Sequence, residues 1–231
     1  GITGIAIDGK KILTYREAIV QKTCPKSLVI VGSGAIGVEF ATIWNAYGSK
    51  VTVVEMLPAL VPLEEKEVSK ELERAFKKEG IQTMTNTKVE SIDATGKQVQ
   101  VTVSGSGKTQ VLEAEQVLVA IGFAPNSQGM GLEKAGVTVE RGAIVIDQQM
   151  RTNVSHIFAI GDVTAKMMLA HVVAAMGVIA AETIAQHPTV SLNYEMKPRA
   201  TYCQPQIASF GITEAQAKER GHEVKTAVFP F

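Results

Sequence analysis

Three glycines, Gly32, Gly34 and Gly37, stand at G-x-G-x-x-G spacing, with Ser33, Ala35 and Ile36 between them. Glu55 closes the next apolar run. Such residues can hold a dinucleotide. Gly32 permits a tight turn, Gly34 lets a pyrophosphate approach the backbone, and Gly37 lets a helix and a strand pack closely. A helix opening at residue 35 turns its free N–H groups and positive dipole end toward the phosphates. Glu55 accepts hydrogen bonds from the adenosine ribose hydroxyls and repels a 2′-phosphate. No Arg or Lys lies between Val51 and Glu65 to neutralise such a phosphate, so NAD(H) is expected in preference to NADP(H). The blander alternatives are a glycine turn in an ordinary βαβ unit and a carboxylate at a solvated strand end.

The elements that must position these residues can be read around them. Residues 28–31 read as a fully buried strand, and 50–54 as a second one. Between them 35–47 reads as a helix, with Ile36, Phe40, Ile43, Trp44 and Tyr47 at helical spacing and Gly48 ending it. Strand, glycines, helix, strand and acid in that order are the context the motif requires. Residues 64–79 read as a helix with Val68, Leu72, Ala75 and Phe76 on one face and Gly80 just past its end. Its acidic first turn and its Lys77-Lys78 last turn suit the helix dipole. Short runs at 87–92, 98–103 and 110–112, parted by glycine turns, predict an antiparallel meander, and 116–121 a returning buried strand. Residues 1–21 read as a connector: a short strand, an Asp8-Gly9 turn, then a short helix from Tyr15.

Farther on, 132–160 is irregular with short strands, the last at 157–160, followed by Gly161-Asp162. Alone, that pair reads equally as a strand end with an Asx turn. An apolar helix is expected over 168–186, ended by His187-Pro188; on composition it is a core helix. Strands are expected at 201–203, 207–210 and 224–229, with a capping box from Thr213 to Gln216 opening a short helix to Arg220.

Composition bounds the possibilities. The chain has 231 residues, 45% of them hydrophobic, and 23 basic against 23 acidic groups, as a soluble globular protein does. It has no basic run or aromatic stripe for nucleic acid. The longest apolar stretch, 167–181, is broken by His171 and too short to span a bilayer. No signal peptide is visible. Cys24 and Cys203 form no C-x-x-C pair, so isolated thiols in a reducing compartment are expected, with no metal site.

Taken together, residues 32–39, 119–126 and 157–162 resemble the flavoprotein pyridine nucleotide-disulfide oxidoreductases. Residues 168–171 and 207–214 are similar to the dihydrolipoamide dehydrogenase branch of that family. The resemblance implies an α/β fold: a Rossmann-like NAD-binding domain with an inserted antiparallel β-meander, a partial FAD domain and the start of an α+β dimerisation domain. It implies a connector from the FAD domain at 1–24, the NAD-binding domain at 25–140, the C-terminal portion of the FAD domain at 141–195 and the start of the dimerisation domain at 196–231. Residue by residue, Gly32, Ser33, Gly34, Ala35, Ile36 and Gly37 would cradle the NAD pyrophosphate, and Glu55 would hold the ribose. Val89 would line the adenine pocket. Ala120, Ile121 and Gly122 would lie near the nicotinamide. Glu39 would face the nicotinamide and flavin side. Gly161 and Asp162 match the flavin ribityl contact. Met168, Leu169, Ala170 and His171 match the helix start beside the flavin ring, whose reduced form a helix N-terminus stabilises. His171 is given no proton-transfer role. Phe123-Ala124 departs from the basic residue that many members carry just after Gly122.

The implied activity is oxidation of dihydrolipoyl groups through a redox disulfide and FAD, with reduction of NAD+. The chain has no earlier glycine fingerprint, no Cys-x4-Cys pair and no C-terminal His-Glu pair, so no catalytic residue is assigned. With its start at Gly1 and its strand-like end at Phe231, the chain is expected to be a portion of a longer polypeptide, binding NAD(H) but inactive alone, and its 168–186 helix to expose an apolar face. The implied partners are a second copy, as a homodimer, and the lipoyl-bearing subunits of 2-oxo acid dehydrogenase complexes, with neither nucleic acid nor membrane. The implied compartment is the cytoplasm, or an organelle matrix or stroma. Still open are a glutathione- or mercuric-type disulfide reductase, a pyridine nucleotide transhydrogenase on the same scaffold, and an NAD-binding module with no enzymology.

Overall fold

The computed structural model describes residues 5–229. The chain packs as two compact units, one formed by the residues up to Gly122 together with those from Ala200 on, the other by Phe123–Arg199. The first unit holds β1 (Ile12–Leu13), α1 (Tyr15–Ala18), β2 (Ser27–Val31), α2 (Ala35–Ala46), β3 (Lys50–Val54), α3 (Lys66–Lys78), β4 (Gln82–Met84), β5 (Thr87–Asp93), β6 (Val99–Gly105), β7 (Lys108–Ala114) and β8 (Gln116–Val119). The second holds β9 (Val139–Glu140), β10 (Ala143–Ile144), a 3-10 turn (Asp162–Thr164) and α4 (Ala170–Ile184). The chain then passes through β11 (Arg199–Thr201), β12 (Ile207–Ser209) and α5 (Glu214–Glu219).

Five strands of the first unit form one parallel sheet in the order β1-β8-β2-β3-β4. Alternate residues of a strand face opposite sides. Leu28, Ile30, Val51, Val53 and Leu118 therefore share one core with Val38, Ala41 and Trp44 of α2 and Leu72 and Phe76 of α3. Val29, Val31, Val54 and Val117 share another with Val89, Val99, Val101 and Val103 of the β5-β6-β7 meander. A parallel sheet is stable when both faces are covered. Here helices cover one and the expected meander covers the other.

The helices start and stop for local reasons. Gly80, at φ +82°, follows α3; its N–H donates to the Lys77 carbonyl and that of Ile81 to the Phe76 carbonyl. This Schellman pattern satisfies the helix's last acceptors. Thr213 and Gln216 form the expected capping box of α5. In α2 the buried face is Gly37, Val38, Ala41 and Trp44, while Ile43 and Tyr47 are exposed. The stripe expected from the large apolar residues is thus rotated, because the side-chain-free edge at Gly37 must meet the sheet.

Other expectations shift. The strand near the amino terminus is β1, after the Asp8-Gly9 turn rather than before it, and residues 1–4 of the expected connector lie outside the described residues. Residues 157–160 make only an isolated antiparallel bridge, Phe158 with Arg151. Described residues from 224 on form no strand: Val228 and Phe229 are exposed and no neighbouring strand takes their ladder bonds. Residues 230 and 231 of that expected strand lie outside the description.

In the second unit α4 buries Val172, Met176, Ile179, Ala180 and Thr183 and leaves Val178 and Ile184 exposed. Leu132, Val137 and Val139 join that same core. These contacts lie within the compact unit Phe123–Arg199.

Phe76 has no exposed surface and lies between α3 and the sheet. Phe76→Ala is expected to cost about 3–5 kcal/mol. Urea unfolding checks this: the midpoint should fall with no change in slope.

Candidate functional site

The turn between β2 and α2 is built from backbone contacts that leave no room for side chains. Gly32 has φ +103° and donates its N–H to the Val54 carbonyl at 2.9 Å. A Cβ there would lie 2.5 Å from the Ala120 carbonyl oxygen. A Cβ on Gly37 would lie 2.0 Å from the Gly32 carbonyl oxygen. The two glycines thus let β2, α2 and the end of β8 meet at one point.

Gly34 differs. It caps α2 in an extended conformation with no side-chain hydrogen bond, and a Cβ on it would meet nothing within 4 Å. It faces open space at the N-terminus of a 12-residue helix. The N–H groups of Ala35, Ile36 and Gly37 belong to the first turn, which has no intrahelical acceptors. An anion fits this arrangement.

Glu55, just past β3, is 8% exposed, which rules out a solvated strand end. Its Oε2 accepts from the Ser33 N–H and the Ser33 hydroxyl, each at 2.8 Å. Its Oε1 accepts from the Leu57 N–H at 2.8 Å. The Glu55 backbone is held as well, N–H to the Met84 carbonyl and carbonyl from the Thr87 N–H. A buried carboxylate needs such hydrogen bonds to replace its lost hydration. Its acceptor oxygens therefore brace the glycine turn.

Ala120, Ile121 and Gly122 follow β8, with the Ala120 N–H donating to the Val31 carbonyl. They lie at the carboxyl end of the sheet beside Gly32. From β2 the chain continues through β3 on one side and returns to β8 on the other. Ligands of open α/β sheets bind at such switch points, outside the carboxyl ends of the strands. The first unit so brings together 32–37, Glu55 and 120–122.

Two residues stand elsewhere. Val89, on β5, is buried in the core between sheet and meander. Glu39, on the second turn of α2, has one carboxylate oxygen engaged by the Tyr202 N–H at 2.8 Å. One turn on, Thr42 accepts from the Gln204 N–H at 3.3 Å. This pair ties 202–204 to α2.

In the second unit Gly161 has φ +82°, and a Cβ there would come within 3.3 Å of Val173. The glycine lies against the first turn of α4, and Asp162, exposed, starts the 3-10 turn that follows it. Thr164 donates its hydroxyl to the Gly161 carbonyl at 2.7 Å. Met168 and Leu169 lead into the helix, Leu169 extended and without a side-chain cap, and Ala170 and His171 open it exposed.

Sequence reasoning missed Val61, whose N–H donates to the Ser33 carbonyl at 3.0 Å. Val61 is buried with φ +41°, a strained state for a β-branched residue. The flanking Pro58 and Pro62 marked a loop but not its closure onto the glycine turn. Both cysteines are free, Cys24 exposed and Cys203 buried. Burial pushes the Cys203 thiol up to about 11, so it stays protonated and unreactive at neutral pH. Among the described residues no group of His, Cys, Asp and Glu could hold a metal ion, and no helix is long and apolar enough to cross a membrane.

Residues 1–177 match the family model described as pyridine nucleotide-disulphide oxidoreductase, and 197–231 match that family's dimerisation domain. Relatives named dihydrolipoyl dehydrogenase include those of Mycobacterium leprae, 55% identical over 222 residues, and Bacillus subtilis, 40% identical over 232. They align with 95% and 100% of this chain and with 48% and 49% of their own lengths. The chain thus spans about half the length of the relatives it matches. Among solved structures, LpdA of Mycobacterium tuberculosis superposes with TM-score 0.84 at 31% identity, over 92% of this chain and 46% of its own. The HOCl-induced flavoprotein disulfide reductase RclA of Escherichia coli does so with TM-score 0.84 at 29%, over 95% and 50%.

The two glycine classes predict different stabilities. Gly37→Ala is expected to lower stability by about 1–3 kcal/mol. Gly34→Ala is expected to change it by less than about 1 kcal/mol. Urea midpoints of both variants check the contrast.

Proposed function

This chain belongs to the pyridine nucleotide-disulphide oxidoreductase family, and from that membership we propose that it is the NAD(H)- and FAD-binding part of a dihydrolipoyl dehydrogenase. The observation that carries the reading is the open N-terminus of α2 at Gly34, flanked by Glu55 and by 120–122 at the switch point of the sheet. A bound nicotinamide would supply a hydride acceptor, and a bound flavin the electron carrier between it and a disulfide. Toward the first, the amides of 35–37 bind a pyrophosphate and Gly34 lets it approach. Glu55 takes the adenosine ribose and discriminates against a 2′-phosphate. Ala120, Ile121 and Gly122 border the nicotinamide end. We assign Val89 to the adenine side and Glu39 to the nicotinamide and flavin side. Toward a flavin, Gly161 and Asp162 take the ribityl chain, and Met168 to His171 set the N-terminus of α4 beside the ring, where its dipole stabilises negative charge.

We assign residues 1–24 as a connector from the FAD domain, 25–140 to NAD binding, 141–195 to the flavin domain and 196–231 to dimerisation, with a homodimer as the assembly. The substrate class is dihydrolipoyl groups carried by 2-oxo acid dehydrogenase complexes, in the cytoplasm or an organelle matrix or stroma. The relatives at 40–55% identity favour this over a glutathione- or mercuric-type reductase. Cys24 and Cys203 form no redox pair, so the chain alone is expected to bind NAD(H) without oxidising dihydrolipoamide.

Fluorescence titration tests the reading. NADH should bind saturably, and NADPH at least about tenfold more weakly, the worth of one well-placed charge. Gly34→Ala should lose NADH affinity while its stability changes by less than about 1 kcal/mol. Equal affinity for both nucleotides, or none for NADH, overturns it.

A further inference from the structure

We propose that Ser33 is a positioning residue that leaves Glu55 a single free acceptor site, so that the site recognises only one of the two adenosine ribose hydroxyls through this carboxylate. The inference rests on the reading of this turn as a dinucleotide site. A carboxylate offers about four lone-pair positions, two on each oxygen. Oε2 of Glu55 already accepts twice, from the Ser33 N–H and from the Ser33 hydroxyl. Oε1 accepts once, from the Leu57 N–H. What remains is one position, on Oε1. A ribose diol that approaches Glu55 can therefore donate one hydrogen bond to it, not two.

Ser33 itself is immobilised. It has no exposed surface. Its N–H and hydroxyl are spent on Glu55, and its carbonyl accepts from Val61 at 3.0 Å. The residue making that last bond sits buried at φ +41°. A strained β-branched residue persists only where its surroundings over-determine it. The loop after Glu55 thus closes back on Ser33, and both ends of the Ser33–Glu55 contact are fixed before a ligand arrives. Removing the hydroxyl frees a second acceptor position on Oε2, on the oxygen that was closed to ligand.

The test uses NADH and its two analogues lacking the 2′- or the 3′-hydroxyl of the adenosine ribose, titrated by fluorescence against the unmodified chain and Ser33→Ala. In the unmodified chain one deletion should weaken binding at least about tenfold, as loss of a hydrogen bond to a charged group does. The other should weaken it by less than about threefold. In Ser33→Ala the two penalties should converge. Equal penalties in the unmodified chain overturn the inference without any variant, and so does an unchanged pattern in Ser33→Ala. If NADH binds and Glu55→Gln weakens it while the penalties are equal, the inference alone fails. If NADH does not bind, the reading of the site fails with it. A purely structural role for Ser33 would shift the unfolding midpoint and leave the ratio of the two penalties in place.

Discussion

Three stretches of backbone converge where a methyl group cannot fit. The Gly37 edge of α2 lies on the carbonyl of Gly32, and Gly32 lies on the carbonyl of Ala120. Because no side chain keeps them apart, α2 stands close over the sheet and its N-terminus opens at the strand ends. Much else follows from that approach. It selects the face of α2 that is buried, with Val38, Ala41 and Trp44 directed into the core. It also sets the end of β8 beside the glycine turn, so the residues after β8 border the same crevice.

The polar arrangement depends on the same point. A turn this tight exposes amides that must find acceptors. Glu55 supplies them for Ser33 and Leu57, and is itself stabilised in a nearly dry position by accepting from both. Neither partner would be tolerable alone: the carboxylate would be an unpaired buried charge, and the Ser33 amide an unsatisfied donor. Charge, turn and loop form one unit. The strain at Val61 is offset within it by the bond to Ser33 and by burial in the helix-side core.

How far this was legible in the sequence depends on the range of the cause. The βαβ unit, the meander and the caps of α3 and α5 have local causes, such as alternation, periodicity, Gly80 and the Thr213–Gln216 pair, and those could be read. The facing of α2 could not, because large apolar residues point to one side while the absent Cβ of Gly37 dictates another. Residues 157–160 and 224–229 carry strand-like composition, but a strand is defined by a partner, and composition does not name one. The tight glycine turn after β2 and the acid after β3 were legible from spacing. The Val61 closure was not, since nothing in a valine announces a left-handed backbone. Glu39 was singled out only by the family resemblance, while its bond to Tyr202 spans 163 residues that no local pattern encodes.

That long-range bond has a kinetic side. The first unit is completed only when the chain from Ala200 on returns to α2 after the whole excursion of Phe123–Arg199. Closing a flexible loop costs entropy that grows with the logarithm of its length, about 0.6 kcal/mol for each doubling. The excursion of Phe123–Arg199 is the loop that this contact must close. The parallel sheet and meander, with their local βα and hairpin steps, can form without waiting for this event. Docking of the returning segment onto Glu39 and Thr42 carries that loop-closure cost and is therefore expected to follow the sheet and meander.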